Sequence, residues 1–342
     1  MKQEILNFMR AAGAFVPFRA ANSDKALILT YHRFTETGDR ETTSRRSFAR
    51  QLRYLKKHYQ LVSLSSLAAH MSSGKRLPKR LAAIAIDDGY RDAYQIAFPL
   101  LRAYDAPATL FVVTDFVDRT AWLWTDKLRF LATRSTAGSL KARIGTTEIE
   151  VPLDGRNCRL DVARRINELL KTLSDASKED AILQVARSLG VELPELPPDE
   201  YDAISWPQAR EMDAAGVEIG SHTLTHPILT RVADQRLQDE LRGSRGRVEA
   251  EMDRAIDLLC YPNGDHDRRV VRAARAAGYR CAVTIEPGFN AAGCDLLRLR
   301  RVHTESNFAR FVQHTSGFDQ IRRHLTLPHS SPTGAFTSAE QS

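Results

Sequence analysis

The chain has 342 residues, 43% of them hydrophobic, which is enough apolar material for one large α/β domain with an insertion, or for two domains, and excludes a disordered chain. Its formal net charge of +7 comes mainly from arginine spread along the whole length; no basic run is interleaved with aromatics, which argues for a general affinity for anionic surfaces and against a nucleic-acid site. The four cysteines, Cys158, Cys260, Cys281 and Cys294, have no metal-finger spacing and are too few for a disulfide framework, so a reducing compartment fits best.

Residues 1–25 carry Ile5, Leu6, Phe8, Met9, Ala12, Phe15 and Val16, interrupted by charges and Gly13. The stretch is too short and broken for a spanning helix and lacks a signal-peptide cleavage site. It reads as an amphipathic segment that packs on its own domain or lies on a membrane surface, and the expected location is cytoplasmic, at or near the inner membrane.

From residue 26 strands and helices alternate. Strands are expected at 26–32, 81–86, 108–113, 217–222, 255–262, 279–285 and 296–303, with helices at 47–59, 93–104, 207–216, 232–253 and 268–278. Such alternation predicts a parallel sheet, open or closed into a barrel, with its chemistry at the carboxyl ends of the strands. The rhythm breaks over residues 118–203, where an aromatic-rich helix (121–132), a hairpin (141–155) and two further helices (158–173, 180–190) read as a mainly helical insertion across the mouth of the fold. The main body is thus 26–117 with 204–305, followed by a C-terminal helix over 306–328 and a disordered tail over 329–342.

Chemistry concentrates at two places. The run AIAIDDGY (83–90) puts Asp87 and Asp88 side by side at the end of a buried strand, where two like charges need a positive partner. Capping of the next helix explains one carboxylate only. A division of labour explains both: one ligates a metal, and the other, kept off the ion, takes the proton of an attacking water. The second place is GSHTLTHP (220–227), where His222 and His226 lie four apart just past another predicted strand and can reach one metal. On its own such a pair is more often solvated or satisfied in a core. Convergence of both pairs on one rim favours a site.

The motifs IDDGY (86–90), SHTLTH (221–226) and YPNG (261–264), in that order, resemble the polysaccharide deacetylases of carbohydrate esterase family 4. The resemblance implies a distorted (β/α)7-type barrel, one divalent metal ion, most plausibly zinc, and removal of N-acetyl groups from amino sugars of a polysaccharide or lipid-linked glycan, as in exopolysaccharide biosynthesis. It further implies Asp87 as catalytic base, Asp88, His222 and His226 as metal ligands, the Asn263 N–H as oxyanion donor, and Tyr90, Tyr261, Pro262 and Trp124 as substrate contacts. Three departures stand out. Ala85 and Ile86 replace the usual threonine and phenylalanine, Cys260 stands where many members carry an arginine bonded to the base, and the Asp-rich fourth motif is absent. The base must therefore be oriented from elsewhere.

Two histidines compete as general acid. RVH (301–303) offers His303 in the manner of the family's late Leu-x-His, while LTYHRF (29–34) resembles the circularly permuted poly-N-acetylglucosamine deacetylases, whose acid histidine ends the first strand. His32 is preferred, and is expected to face the metal from the side opposite the base. Two other readings remain: a metal-dependent phosphoesterase, for which no phosphate clamp adjoins either motif, and a catalytically silent sugar-binding module, suggested by the missing arginine and by Trp122 and Trp124 as stacking platforms.

Overall fold

A computed structural model of the chain describes residues 2–38, 41–120 and 122–326. Its strands are β1 (Leu27–Tyr31), β2 (Arg33–Thr35), β3 (Thr42–Ser44), β4 (Gln60–Leu61), β5 (Leu81–Ile86), β6 (Ala108–Val112), β7 (Ser139–Ile144), β8 (Thr147–Pro152), β9 (Val217–Ser221), β10 (Leu258–Cys260), β11 (Cys281–Pro287) and β12 (Leu299–His303). Seven of them, in the spatial order β1, β12, β11, β10, β9, β6, β5, are joined by parallel pairs, and β1 pairs with β5 to close the ring. The short β4 pairs in parallel with the first residues of β5, Leu81 and Ala82, and β7 and β8 form a separate hairpin.

Apolar runs such as LAAIAI are buried on both faces, as a parallel barrel wrapped in helices requires. Alternate residues sort into two cores. Leu27, Leu29, Tyr31, Ala82, Ile84 and Ile86 join the helices outside, among them Phe48, Leu52 and Leu55 of the helix Arg45–His58. Ile28, Ala83, Ala85, Phe111, Cys260, Val283 and Leu299 form the other set, which the helix Leu64–Ser72 also joins. Two-residue periodicity then decides what reaches the rim on that inner set: His32 after Ile28 and Thr30, Asp87 after Ala83 and Ala85, and Arg301 after Leu299.

The insertion has its own core, from Trp122 to Tyr201, built on the helices Trp124–Arg134, Gly155–Leu170 and Asp175–Leu189 and the β7–β8 hairpin. The expected C-terminal helix is two, Phe308–Ser316 and Phe318–Thr326, because Gly317 between them is left-handed at φ 81°. The expected disordered tail, 329–342, lies outside the described residues.

Candidate active site

The carboxyl ends of β5, β9, β10 and β12 assemble the site. Leaving β5, the chain turns left-handed at Asp88 (φ 76°) and Gly89 (φ 86°). A Cβ on Gly89 would meet the Val112 side chain at 3.1 Å, so the glycine lets this turn lie against β6. Thr223 (φ 71°), His226 (φ 59°) and Asn263 (φ 54°) are left-handed too, so four of the site's residues hold a conformation that costs about 1–3 kcal/mol each. For β-branched Thr223 the geometry is a genuine outlier. Its hydroxyl accepts the His226 N–H at 3.1 Å and its carbonyl accepts the Thr114 N–H at 3.1 Å, which fixes the turn that presents both histidines.

That turn has an unexpected anchor. Glu240, fully buried on the helix Asp234–Met252, accepts the backbone N–H groups of Leu224 at 2.8 Å and Thr225 at 3.0 Å, and the Thr225 hydroxyl at 2.6 Å. A buried carboxylate stands only when so bonded. Nothing in the charge-rich sequence of that helix singles out this glutamate.

The two aspartates part company. Asp88 lies 3.4 Å from His222 Nε2 and 3.6 Å from His226 Nε2. Burial pushes the Asp88 carboxyl up, but the hydrogen bond to His222 and the charges of His32 and His226 outweigh it and hold the group well below the usual carboxylate range. The ligating atoms of the three lie within 4.8 Å of one another. His222 Nδ1 is 2.7 Å from the Cys260 carbonyl, so Nδ1 donates there and Nε2 faces Asp88. Burial pushes the ring down, but Cys260 and the hydrogen bond to Asp88 hold it well above the usual imidazole range, and the Nε2 proton is the one a bound cation would displace. Burial and the charge of His222 push His226 down to about 4, so its imidazole is neutral and able to ligate. These donors fit one divalent cation. Asp87, His222 and Cys260 form a second cluster of possible ligands, but Asp87 is already committed and burial pushes the Cys260 thiol up, away from the thiolate a metal needs.

Asp87, 1% exposed, faces a cation of the protein's own. Arg301 Nη1 donates to Oδ1 at 2.8 Å and to Oδ2 at 2.7 Å, while Arg301 Nε donates to the Thr284 carbonyl at 2.6 Å. Burial pushes Asp87 up; Arg301, with His32 and His222, overcomes that and holds the carboxyl below its ordinary value. The arginine missing at Cys260 is therefore supplied by β12, from the inward position two residues before His303.

His32 Nε2 stands 3.5 Å from Asp87 Oδ2, with its side chain 41% exposed. This corrects the expectation that it faces the metal from the side opposite the base. Strands β1 and β5 pair in parallel, Tyr31 opposite Ile86, so the residues that follow them emerge side by side. His303 is exposed, and among the described residues it makes no hydrogen bond or ion pair with Asp87, Asp88 or the two ligand histidines. Asn263 sits in the turn Pro262–Gly264, whose closing bonds come from the Gly264 and Asp265 N–H groups, leaving its own N–H out of them.

The expected substrate contacts fare differently. Tyr90 is buried and its hydroxyl donates to Asp126 of the insertion at 2.7 Å, with the Arg33 guanidinium 4.0 Å from the ring centroid. Tyr261 is fully buried and donates to the Leu297 carbonyl at 3.0 Å. Both hydroxyls are spent within the protein, so neither is free to bond a substrate, and Pro262 is buried. Trp122 and Trp124 are not exposed platforms, since both belong to the insertion core. They do line a cavity of about 470 Å³ between the insertion and the barrel mouth, together with Lys127, Lys178, His226 and Arg236. Their indole N–H groups are buried without a partner.

A closed seven-stranded barrel with a carboxylate and two imidazoles converging at its mouth can now be compared with known proteins. The polysaccharide deacetylase family profile matches residues 74–282, more than half of the chain. The chain belongs to the polysaccharide deacetylase family. A Streptococcus pyogenes deacetylase solved in complex with acetate superposes on this deacetylase with a TM-score of 0.56 at 18% identity, covering 85% of this chain and 99% of that one. For IcaB from Ammonifex degensii the TM-score is 0.54 at 18% identity, over 85% of this chain and 97% of that one. At such identity both speak for the fold alone. In sequence, a poly-beta-1,6-N-acetyl-D-glucosamine N-deacetylase of Staphylococcus epidermidis is 30% identical over 113 residues, 28% of this chain and 39% of the relative.

Proposed function

We propose that the chain is a metal-dependent hydrolase that removes N-acetyl groups from amino sugars of a polysaccharide or lipid-linked glycan and releases acetate. The observation that carries this reading is the split of the paired aspartates, Asp87 onto Arg301 and Asp88 onto two imidazoles. Asp88, His222 and His226 would hold the ion; two imidazoles and one carboxylate with positions left open suit zinc. When bound, the metal polarises the acetyl carbonyl and makes water more acidic.

The protein's own groups do the rest. Asp87 takes the proton of the attacking water, and Arg301 keeps that carboxylate ionised and fixed in direction. The free N–H of Asn263 donates to the oxyanion as the carbonyl carbon becomes tetrahedral. His32 delivers a proton to the departing nitrogen, which cannot leave as an anion; its 3.5 Å contact with Asp87 also lets the proton taken from water pass between them. Acetate, the expected product, is the molecule named in the complex of the Streptococcus pyogenes structure. The cavity beneath the insertion takes the sugars flanking the reacting one, with the Lys127, Lys178 and Arg236 side chains on its lining as donors to their hydroxyls.

A place in exopolysaccharide synthesis on the cytoplasmic side of the inner membrane is part of this proposal. It is supported by four free cysteines, two of them buried, and by the basic surface near the amino terminus. Fractionation of cells that finds the full chain in the periplasm or medium would reject that location. The silent-module reading loses its main support once Arg301 orients the base. Turnover of a panel of N-acetylated amino-sugar oligomers by the metal-loaded protein tests the function: acetate release supports it, whereas phosphate release from phosphorylated glycans, or metal binding without any turnover, would replace it.

A further inference from the structure

The helix Lys2–Ala11 packs Leu6 and Met9 against the main core but leaves Phe8 74% and Ile5 54% exposed. Two large apolar side chains in water on one short helix need a reason. Beside it the helix Arg45–His58 buries Phe48, Leu52 and Leu55 and turns Arg46, Arg50, Arg53 and Lys57 outward, at a spacing of four, three and four that makes one cationic stripe. The two helices meet over Phe308: Arg10 lies 5.5 Å and Arg50 3.8 Å from its ring centroid. Among the described residues none of Arg10, Arg46, Arg50, Arg53 or Lys57 forms an ion pair with a carboxylate, although Arg45 and Lys56 on the same helix do. Burial, Arg10 and Arg46 all weigh against the charge on Arg50, as expected of cations gathered without counter-ions. A cavity of about 340 Å³ opens between Arg10 and Arg50, and Ser306 and Asn307 line it. Those two follow β12, which carries Arg301, so the patch adjoins the rim of the active site.

We propose that this face, Ile5 and Phe8 with the stripe of Arg46, Arg50, Arg53 and Lys57, docks the chain on an anionic phospholipid membrane. The charge complementarity is specific: guanidinium groups without a carboxylate partner donate to lipid phosphates, while the phenylalanine and isoleucine enter the boundary between headgroups and acyl chains. The active-site mouth is then held near the bilayer, where a lipid-linked glycan would meet it. Docking does not depend on the deacetylase reading.

Sedimentation of the full chain with phosphatidylglycerol/phosphatidylcholine vesicles, against phosphatidylcholine alone, tests it. Binding should require phosphatidylglycerol and fall with salt. Arg46→Glu with Arg50→Glu and Arg53→Glu should weaken the partition coefficient by roughly tenfold or more, while Phe8→Ser should weaken it and leave the salt dependence in place. Acetate release from a soluble oligomer should be unchanged in both variants, which shows that they are folded. The proposal is overturned if the wild-type chain ignores phosphatidylglycerol, if these variants bind vesicles as the wild type does, or if the stripe captures soluble phosphorylated oligosaccharides and no vesicles.

Discussion

Asp87 and Asp88 both lie near His32 and His222 but differ in their main partner, Arg301 for Asp87 and the paired imidazoles of His222 and His226 for Asp88. The reading of His32 as proton donor rests on its place beside Asp87, and His303 has no comparable contact. His32→Ala should keep its metal and lose turnover by about a hundred- to ten-thousand-fold, with His303→Ala losing far less. A dead His303→Ala beside an active His32→Ala would reverse the assignment. Arg301 makes a second prediction at this scale. Removing one partner of a buried ion pair strands the other, so Arg301→Ala should lower unfolding free energy by about 3–5 kcal/mol in urea melts. Arg301→Lys should recover much of that stability while kcat stays depressed, because lysine keeps the charge but loses the fork that bridges Asp87 and the Thr284 carbonyl.

At the scale of elements, the barrel strands and their ends were legible because buried parallel strands write continuous apolar runs and end in their chemistry. Leu81–Ile86, followed at once by Asp87 and Asp88, is the plainest case. Arg301 was hidden for a definite reason. LRLRRVH offers three arginines, and only the register of β12 in the closed barrel tells which one faces inward. Glu240 was hidden likewise, since its helix carries several acids and the loop it holds is 15 residues away in sequence. This clamp predicts that Glu240→Gln, which keeps the shape but loses acceptor capacity for the Leu224 and Thr225 N–H groups, weakens metal affinity by about tenfold or more. Metal titration of the stripped protein checks it; unchanged affinity would mean that the strained turn stands without its anchor.

Among the contacts that join the insertion to the barrel is a partly buried cluster around Arg33. Arg33 reaches Asp92 at 2.6 Å and the Glu200 carbonyl at 2.6 Å, and it covers the Tyr90 ring, whose hydroxyl binds Asp126. Burial pushes the Asp126 carboxyl up to about 7 against the opposing pull of Arg33 and the Tyr90 hydroxyl. The folded chain thus keeps a proton that an unfolded aspartate releases near about pH 4. The unfolded state binds fewer protons between those values, so this group's contribution makes stability fall as pH rises from about 4 to about 7, and it levels off above. Asp126→Asn should flatten that slope in urea midpoints taken across the window. An identical slope in the variant would place the proton elsewhere.

The central claim is that one aspartate holds the metal and its neighbour does the proton transfer, and metal content and acetate release measured on the same samples of full-length protein test it most directly. Asp87→Asn should retain one ion per chain and release no acetate, while Asp88→Asn should lose both. Equal metal loss in the two variants, or acetate release by Asp87→Asn at the wild-type rate, would contradict the account.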